Sequence, residues 1–94
     1  MTVADTIRRK LEAAFSPSEL VVDDESAKHA GHSGARPGGE THFAVRVVSE
    51  SFAGASRIER QRRVYAVLAD EMKPNRIHAL SLTTLTPAEV WQEH

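Results

Sequence analysis

The stretch from Ala27 to Thr41 constrains the fold more than any other part of the chain. It holds four of the five glycines (Gly31, Gly34, Gly38, Gly39), together with Pro37, His29 and His32. Such a composition offers almost no side chain to bury, and glycine loses more backbone freedom on ordering than any other residue. The core must therefore come from the segments on either side. In a chain of 94 residues this argues for one domain, 1–94, with a flexible Gly/His-rich loop at about 27–41. A loop this long in so small a domain is usually functional or disordered. A domain of this size buries only roughly 60–65% of its unfolded surface, so the core is modest.

The flanking segments carry clear periodicities. Val3, Ile7, Leu11 and Phe15 recur every four residues, with Ala14 on the same face, and predict a first helix. Thr2 or Asp5 can cap it. Ser16-Pro17 ends it, because a residue before proline avoids the helical region. Leu20-Val21-Val22 is β-rich and turns polar through Asp23-Asp24-Glu25-Ser26. After the loop, His42 to Ser49 alternates, with Phe43, Val45 and Val47 on one face and Ala44, Arg46 and Val48 on the other. This predicts a strand paired antiparallel with the earlier one.

Ser51 to Ser56 reads as a turn with Ser56 as a cap. Arg57 to about Met72 reads as the longest helix, its apolar stripe made of Ile58, Tyr65, Leu68 and Met72, flanked by Val64 and Val67. Lys73-Pro74-Asn75 breaks it. Ile77 to Thr84 predicts a third strand, with Leu80 and Leu82 on one side. Thr86-Pro87-Ala88-Glu89 opens a short last helix, with a threonine cap, proline at the first position and an acid in the first turn. The order helix–strand–strand–helix–strand–helix is solved most simply by an α+β fold with a three-stranded mixed sheet covered by helices.

Composition then removes whole classes of function. There is no cysteine, so disulfides, thiolate nucleophiles and cysteine-only metal sites are excluded. Any metal chemistry falls to the five histidines or the carboxylates. The net charge of −1 exerts no general pull toward nucleic acid or anionic membrane. No apolar run approaches the ~18 residues of a membrane span. Met1 to Asp5 leads straight into a helical pattern with no leader-like segment, so a cytoplasmic location is the expectation. Asp23-Asp24-Glu25 with His42 or His78 could form acid–base pairs, but no nucleophile motif or phosphate loop accompanies them. The expectation is a protein that is not an enzyme.

The residues also carry a family pattern. Asp24-Glu25-Ser26, His29, Thr41-His42-Phe43 and Val47-Val48-Ser49 resemble the first half of BolA proteins. Phe52-x-Gly54, Arg60-x-Arg62, Val64-Tyr65, Leu68, Ile77-His78-Ala79-Leu80 and Thr86-Pro87 resemble the second half. The resemblance runs from about residue 5 to 92, and its specificity lies in the ordered set. It implies a class II KH-like fold. It also implies pairing with a monothiol glutaredoxin, in an apo complex or around a bridged [2Fe–2S] cluster for which the glutaredoxin cysteine and glutathione supply thiolates. The ligand from the C-terminal half of a BolA protein maps onto His78, and the loop ligand, histidine or cysteine by subtype, maps onto His29. Some bacterial members are also described as DNA-binding regulators affecting cell shape and biofilm.

Two features depart from the family pattern. The usual Arg-His-Arg of the main helix is Arg60-Gln61-Arg62 here. The loop is longer and richer in glycine and carries an extra His32, which competes with His29 as loop ligand. No cluster is expected to stay tightly bound to the isolated chain, which should be a monomer or weak homodimer.

The histidines have plainer readings on residue type alone. His78 can be a partly buried, hydrogen-bonded side chain at a strand start, His29 a solvated loop residue, His42 a structural one, and His94 a disordered terminus. His29-x-x-His32 could bind zinc or copper, but no clear third ligand accompanies it. Arg57, Arg60, Arg62 and Arg63 crowd the first half of the main helix, where positive charge opposes the helix dipole. They form either a solvated face or a recognition surface for phosphate or an acidic partner. Nucleic-acid-binding KH domains clamp the backbone with a Gly-x-x-Gly loop between helices. The only such spacing, Gly31-His32-Ser33-Gly34, falls between two strands instead.

Overall fold

The computed structural model describes residues 2–25, 42–73 and 79–92. The Gly/His-rich segment and the Pro74-Asn75 breaker lie outside the described residues. The element order is α1 (Val3–Phe15), β1 (Glu19–Asp24), β2 (His42–Val48), a 3-10 turn (Glu50–Phe52), α2 (Arg57–Val67), β3 (Ala79–Leu85) and α3 (Pro87–Gln92). The sheet runs β1-β2-β3, with β1 antiparallel and β3 parallel to the central β2. This is the expected α+β arrangement with a three-stranded mixed sheet.

Local chemistry sets the element ends. Thr2 caps α1 reciprocally: its hydroxyl accepts from the Asp5 N–H, and the Asp5 carboxylate accepts from the Thr2 N–H. Ser16 turns left-handed (φ 44°) before Pro17 and ends the helix. Gly54 has φ +79° with open space around it, so glycine is needed there for its backbone rather than for its size. Ser56 caps α2 by accepting from the Glu59 N–H.

The core lies on one face of the sheet. Ile7, Leu11 and Phe15 of α1 meet Val22, Phe43, Val45 and Val47 of the strands, together with Phe52, Val64 and Leu68. Phe15 and Phe52 pack with ring centroids 5.0 Å apart. Buried Ser49 locks this corner: its hydroxyl donates to the Phe15 carbonyl at 2.6 Å and accepts from the Ser51 N–H. The other sheet face carries Glu19, Val21, Asp23, Ala79, Ser81 and Thr83, all exposed.

Three expectations are corrected. Ala14 is exposed, because the α1 stripe drifts toward Phe15 as it advances. The regular part of α2 ends at Val67 rather than near Met72. Turns follow, in which Glu71 is drawn inward to Lys10, with Nζ 2.8 and 3.0 Å from its two carboxylate oxygens. The buried stripe of α2 is Arg60, Val64 and Leu68, whereas Ile58 is 61% and Tyr65 39% exposed. These corrections make a stability prediction. Leu68→Ala should cost about 2–5 kcal/mol in denaturant unfolding, whereas Ile58→Ala should stay within about 0.5 kcal/mol. Equal losses at both positions would contradict this orientation of α2.

Candidate functional site

One end of the sheet gathers the exit of β1 and the starts of β2 and β3. The chain leaves β1 through Glu25, whose N–H donates to the His42 carbonyl at 2.8 Å. His42 opens β2 and lies in parallel register with Ala79, the first residue of β3. The segment bearing His29 and His32 is therefore joined to this end at Glu25 and at His42. The segment bearing His78 is joined to it at Ala79. Neighbouring strands lie ~4.8 Å apart, and a residue spans at most ~3.6 Å of extended chain. Connectivity thus gives the loop and the β3 entry a common origin. His29, His32 and His78 themselves lie outside the described residues. His42 takes part in this junction through its backbone carbonyl. Among the described residues, no three His, Asp or Glu side chains group in a way that could hold a metal ion.

The opposite end of the sheet is organised by a buried arginine. Arg60, expected to join the other three arginines on an exposed surface, is only 9% exposed. Its Nε donates to the Ala55 carbonyl at 3.0 Å. Nη1 donates to the Thr84 carbonyl at 3.1 Å and to Glu89 Oε1 at 2.6 Å. The guanidinium also sits 5.9 Å from the Phe52 ring centroid. Burial of this charge is tolerated because two carbonyls and a carboxylate receive it. Arg60 thus joins the loop before α2, the end of β3 and α3.

Glu89 completes the network from α3. Its carboxylate accepts from the Thr86 N–H at 2.7 Å, and the Thr86 hydroxyl accepts in return from the Glu89 N–H at 3.3 Å. The hydrogen bond from Arg60, and then that from the Thr86 backbone, pull the Glu89 pKa down to about 2. The sequence marked Thr86 and Glu89 as a helix start, whereas counting apolar residues alone passed over the arginine beneath. A clue lay in the spacing Arg60, Val64, Leu68, which is a helical stripe in its own right.

The other arginines differ. Arg63 is exposed and donates to the Ser51 carbonyl at 3.0 Å. Arg57 and Arg62 are exposed. With Arg60 turned inward, the exposed arginines of α2 are Arg57, Arg62 and Arg63. No described helix is long and apolar enough to cross a membrane.

A mixed three-stranded sheet with helices on one face and histidine-bearing segments joined to one end defines a small α+β protein of a known kind. The family described as BolA-like protein matches residues 11–89, and the chain belongs to that family. It is similar to SufE-like protein 1 of Arabidopsis thaliana (49% identical over 88 residues, covering 89% of this chain). It is also similar to the DNA-binding transcriptional regulator BolA of Vibrio cholerae (44% identical over 91 residues, covering 97% of this chain and 80% of that protein). Among solved structures it resembles BolA1 from Arabidopsis thaliana, with a TM-score of 0.78, 40% identity, and coverage of 92% of this chain and 93% of that one. The chain spans 24% of the length of SufE-like protein 1 and 54–63% of further plant and human relatives that it matches.

The Arg60–Glu89 pair yields a pH prediction. The Glu89 carboxyl has a lower pKa in the folded than in the unfolded protein, so it adds stability above about pH 4.5. That stability is lost as the pH falls toward about 2. Glu89→Gln should flatten this part of the stability–pH curve. It should leave in place the fall due to Asp5, whose carboxyl is also held down, chiefly by the Thr2 backbone N–H. Arg60→Ala should cost about 1–3 kcal/mol at neutral pH, because it strands the Ala55 and Thr84 carbonyls. Thermal unfolding across pH 2–7 checks both, and a curve unchanged by Glu89→Gln would contradict the pairing.

Proposed function

We propose that this chain is a non-enzymatic, cytoplasmic partner of a monothiol glutaredoxin, with which it binds or traffics a bridged [2Fe–2S] cluster in iron–sulfur assembly and iron regulation. His78 supplies an imidazole ligand and His29 a second, with His32 as the alternative loop ligand. The glutaredoxin and glutathione supply the thiolates that this cysteine-free chain lacks. The observation that carries the reading is the sheet end at which Glu25, His42 and Ala79 come together. It gives the two histidine-bearing segments a common origin within a chain of the BolA-like family. The donor set fits: neutral imidazoles bind iron in clusters that also use thiolate, as Rieske centres do.

A second reading, a DNA-binding transcriptional regulator affecting cell shape and stress response, draws on the printed name of the Vibrio cholerae relative and on exposed Arg57, Arg62 and Arg63. Affinity for duplex DNA across a salt series tests it. Phosphate contacts give a steep negative slope that each Arg→Ala change reduces by about one, and a flat slope counts against it.

For the primary reading, the chain is reconstituted with a monothiol glutaredoxin, glutathione, iron and sulfide, and followed by visible absorption and circular dichroism. The mixed complex should show a spectrum distinct from that of the glutaredoxin alone. His78→Ala should change that spectrum and shorten the cluster lifetime, and His29→Ala should do so more than His32→Ala. A spectrum and lifetime unchanged by His78→Ala would remove it as a ligand.

A further inference from the structure

The sheet has two edges, and they are built differently. The β1 edge carries Glu19, Asp23 and Asp24 in one short strand. Carboxylates along an edge repel another strand and keep it from pairing. The β3 edge, from Ala79 to Leu85, has no charge, no proline and no glycine. Its side chains are the small Ala79, Ser81 and Thr83 on the open sheet face, and the half-buried Leu80 and Leu82 on the face that the helices cover. None of the usual guards against pairing is present in this strand.

Hydrogen bonding shows which backbone groups lie on that edge. The Leu85 carbonyl accepts from the Ser49 N–H at 2.9 Å, which turns Leu85 toward the β2 side. The N–H and C=O of one strand residue point the same way, and alternate residues point oppositely. Thr83, Ser81 and Ala79 therefore also face β2, whereas Thr84, Leu82 and Leu80 face outward. The Thr84 carbonyl is taken by Arg60 Nη1 at 3.1 Å. The N–H and C=O groups of Leu80 and Leu82 have no partner among the described residues.

These groups match their own copy. When a second β3 lies antiparallel and centred on Ser81, Leu80 stands opposite Leu82 of the second copy, and Leu82 opposite its Leu80. Both pairs exchange N–H and C=O, so every free group of the two leucines is used. Leucine meets leucine on the helix-covered face. On the open face serine meets serine and Ala79 meets Thr83, and no charge faces a charge. Centring the pair on Leu82 instead would bring in Thr84, whose carbonyl Arg60 already holds. The joined sheet, ordered β1-β2-β3-β3-β2-β1, ends on both sides in a carboxylate-bearing β1. Growth therefore stops at two copies, as befits an isologous contact.

We propose that the outer edge of β3, from Ala79 to Thr83, is a self-association surface through which two copies of this chain pair antiparallel about Ser81. Two short strand edges bury less than the ~1,000 Å² of a lasting specific interface. The pair therefore forms at high chain concentration and separates on dilution.

Sedimentation of the full chain up to about 1 mM, the range in which so small an interface associates, tests the pairing, together with amide exchange followed by nuclear magnetic resonance. The wild-type chain should dimerise. Its Leu80 and Leu82 amides should gain protection as the concentration rises, while those of Ser81 and Thr83, which face β2, are protected throughout. Ser81→Lys and Ser81→Glu each set like charges directly opposite one another. Each should weaken dimerisation tenfold or more, and an equimolar mixture of the two variants should restore it. Val21→Lys, an added charge on exposed β1, should change it less than twofold. Circular dichroism checks that each variant folds. A wild-type chain that stays monomeric over this range, or a dimer that both Ser81 variants keep within twofold, would overturn the assignment. Protection of Leu80 and Leu82 that arises only when another protein is added would overturn it too, and give the edge to that protein.

Discussion

The central strand β2 is the constraint on which the rest of the structure depends. It pairs antiparallel with β1 and parallel with β3, so its first residue, His42, meets Glu25 just past the end of one neighbour and the first residue of the other. With β1 antiparallel and β3 parallel to this shared strand, the exit of β1 and the starts of β2 and β3 fall at the same end of the sheet. The long connection from β1 to β2 and the entry to β3 thus arise side by side. Phe43, Val45 and Val47 on the inner face of β2 fix its register, because a slip of one residue would turn all three outward.

The two ends of the sheet do different work. At one end, backbone pairing joins Glu25 to His42 and His42 to Ala79, and the histidine-bearing segments begin there. At the other, Arg60 fastens the loop before α2, the end of β3 and the start of α3 through carbonyls and one carboxylate. That fastening matters because α3 contributes no buried residue of its own, and its Trp91 is 80% exposed. A short helix with so little burial needs the capping box at Thr86 and the arginine behind it. The charge in the Arg60 position also accounts for the orientation of α2: the inward stripe is partly polar, and two of the apolar residues that sequence periodicity would bury, Ile58 and Tyr65, lie outside.

Much of the fold was legible in the sequence. The four-residue spacing of Ile7, Leu11 and Phe15, the alternation from Phe43 to Val47, and the caps at Ser56 and Thr86 each follow from local physics, and each is realised. The orientation of α2 was not legible. Periodicity counts apolar residues, and by that count Ile58 and Tyr65 outrank Arg60. The structure instead satisfies a guanidinium with carbonyls from Ala55 and Thr84, groups that a side-chain pattern does not display. The length of α2 was overread for a related reason: Glu71 looks like a solvated helix residue until Lys10, sixty-one positions earlier, receives it. For the candidate site, sequence alone named the histidines, whereas the common origin of their segments needed the strand register.

The central claim is that this chain contributes imidazole nitrogen to a cluster whose thiolates come from its partner. Pulsed electron paramagnetic resonance on the reduced, reconstituted complex addresses it directly, with ¹⁵N-histidine introduced only into this chain. A strong ¹⁵N coupling that loses one component in His78→Ala is the predicted result. A cluster signal with no strongly coupled nitrogen from this chain, identical in the wild type and in His78→Ala, would contradict the account.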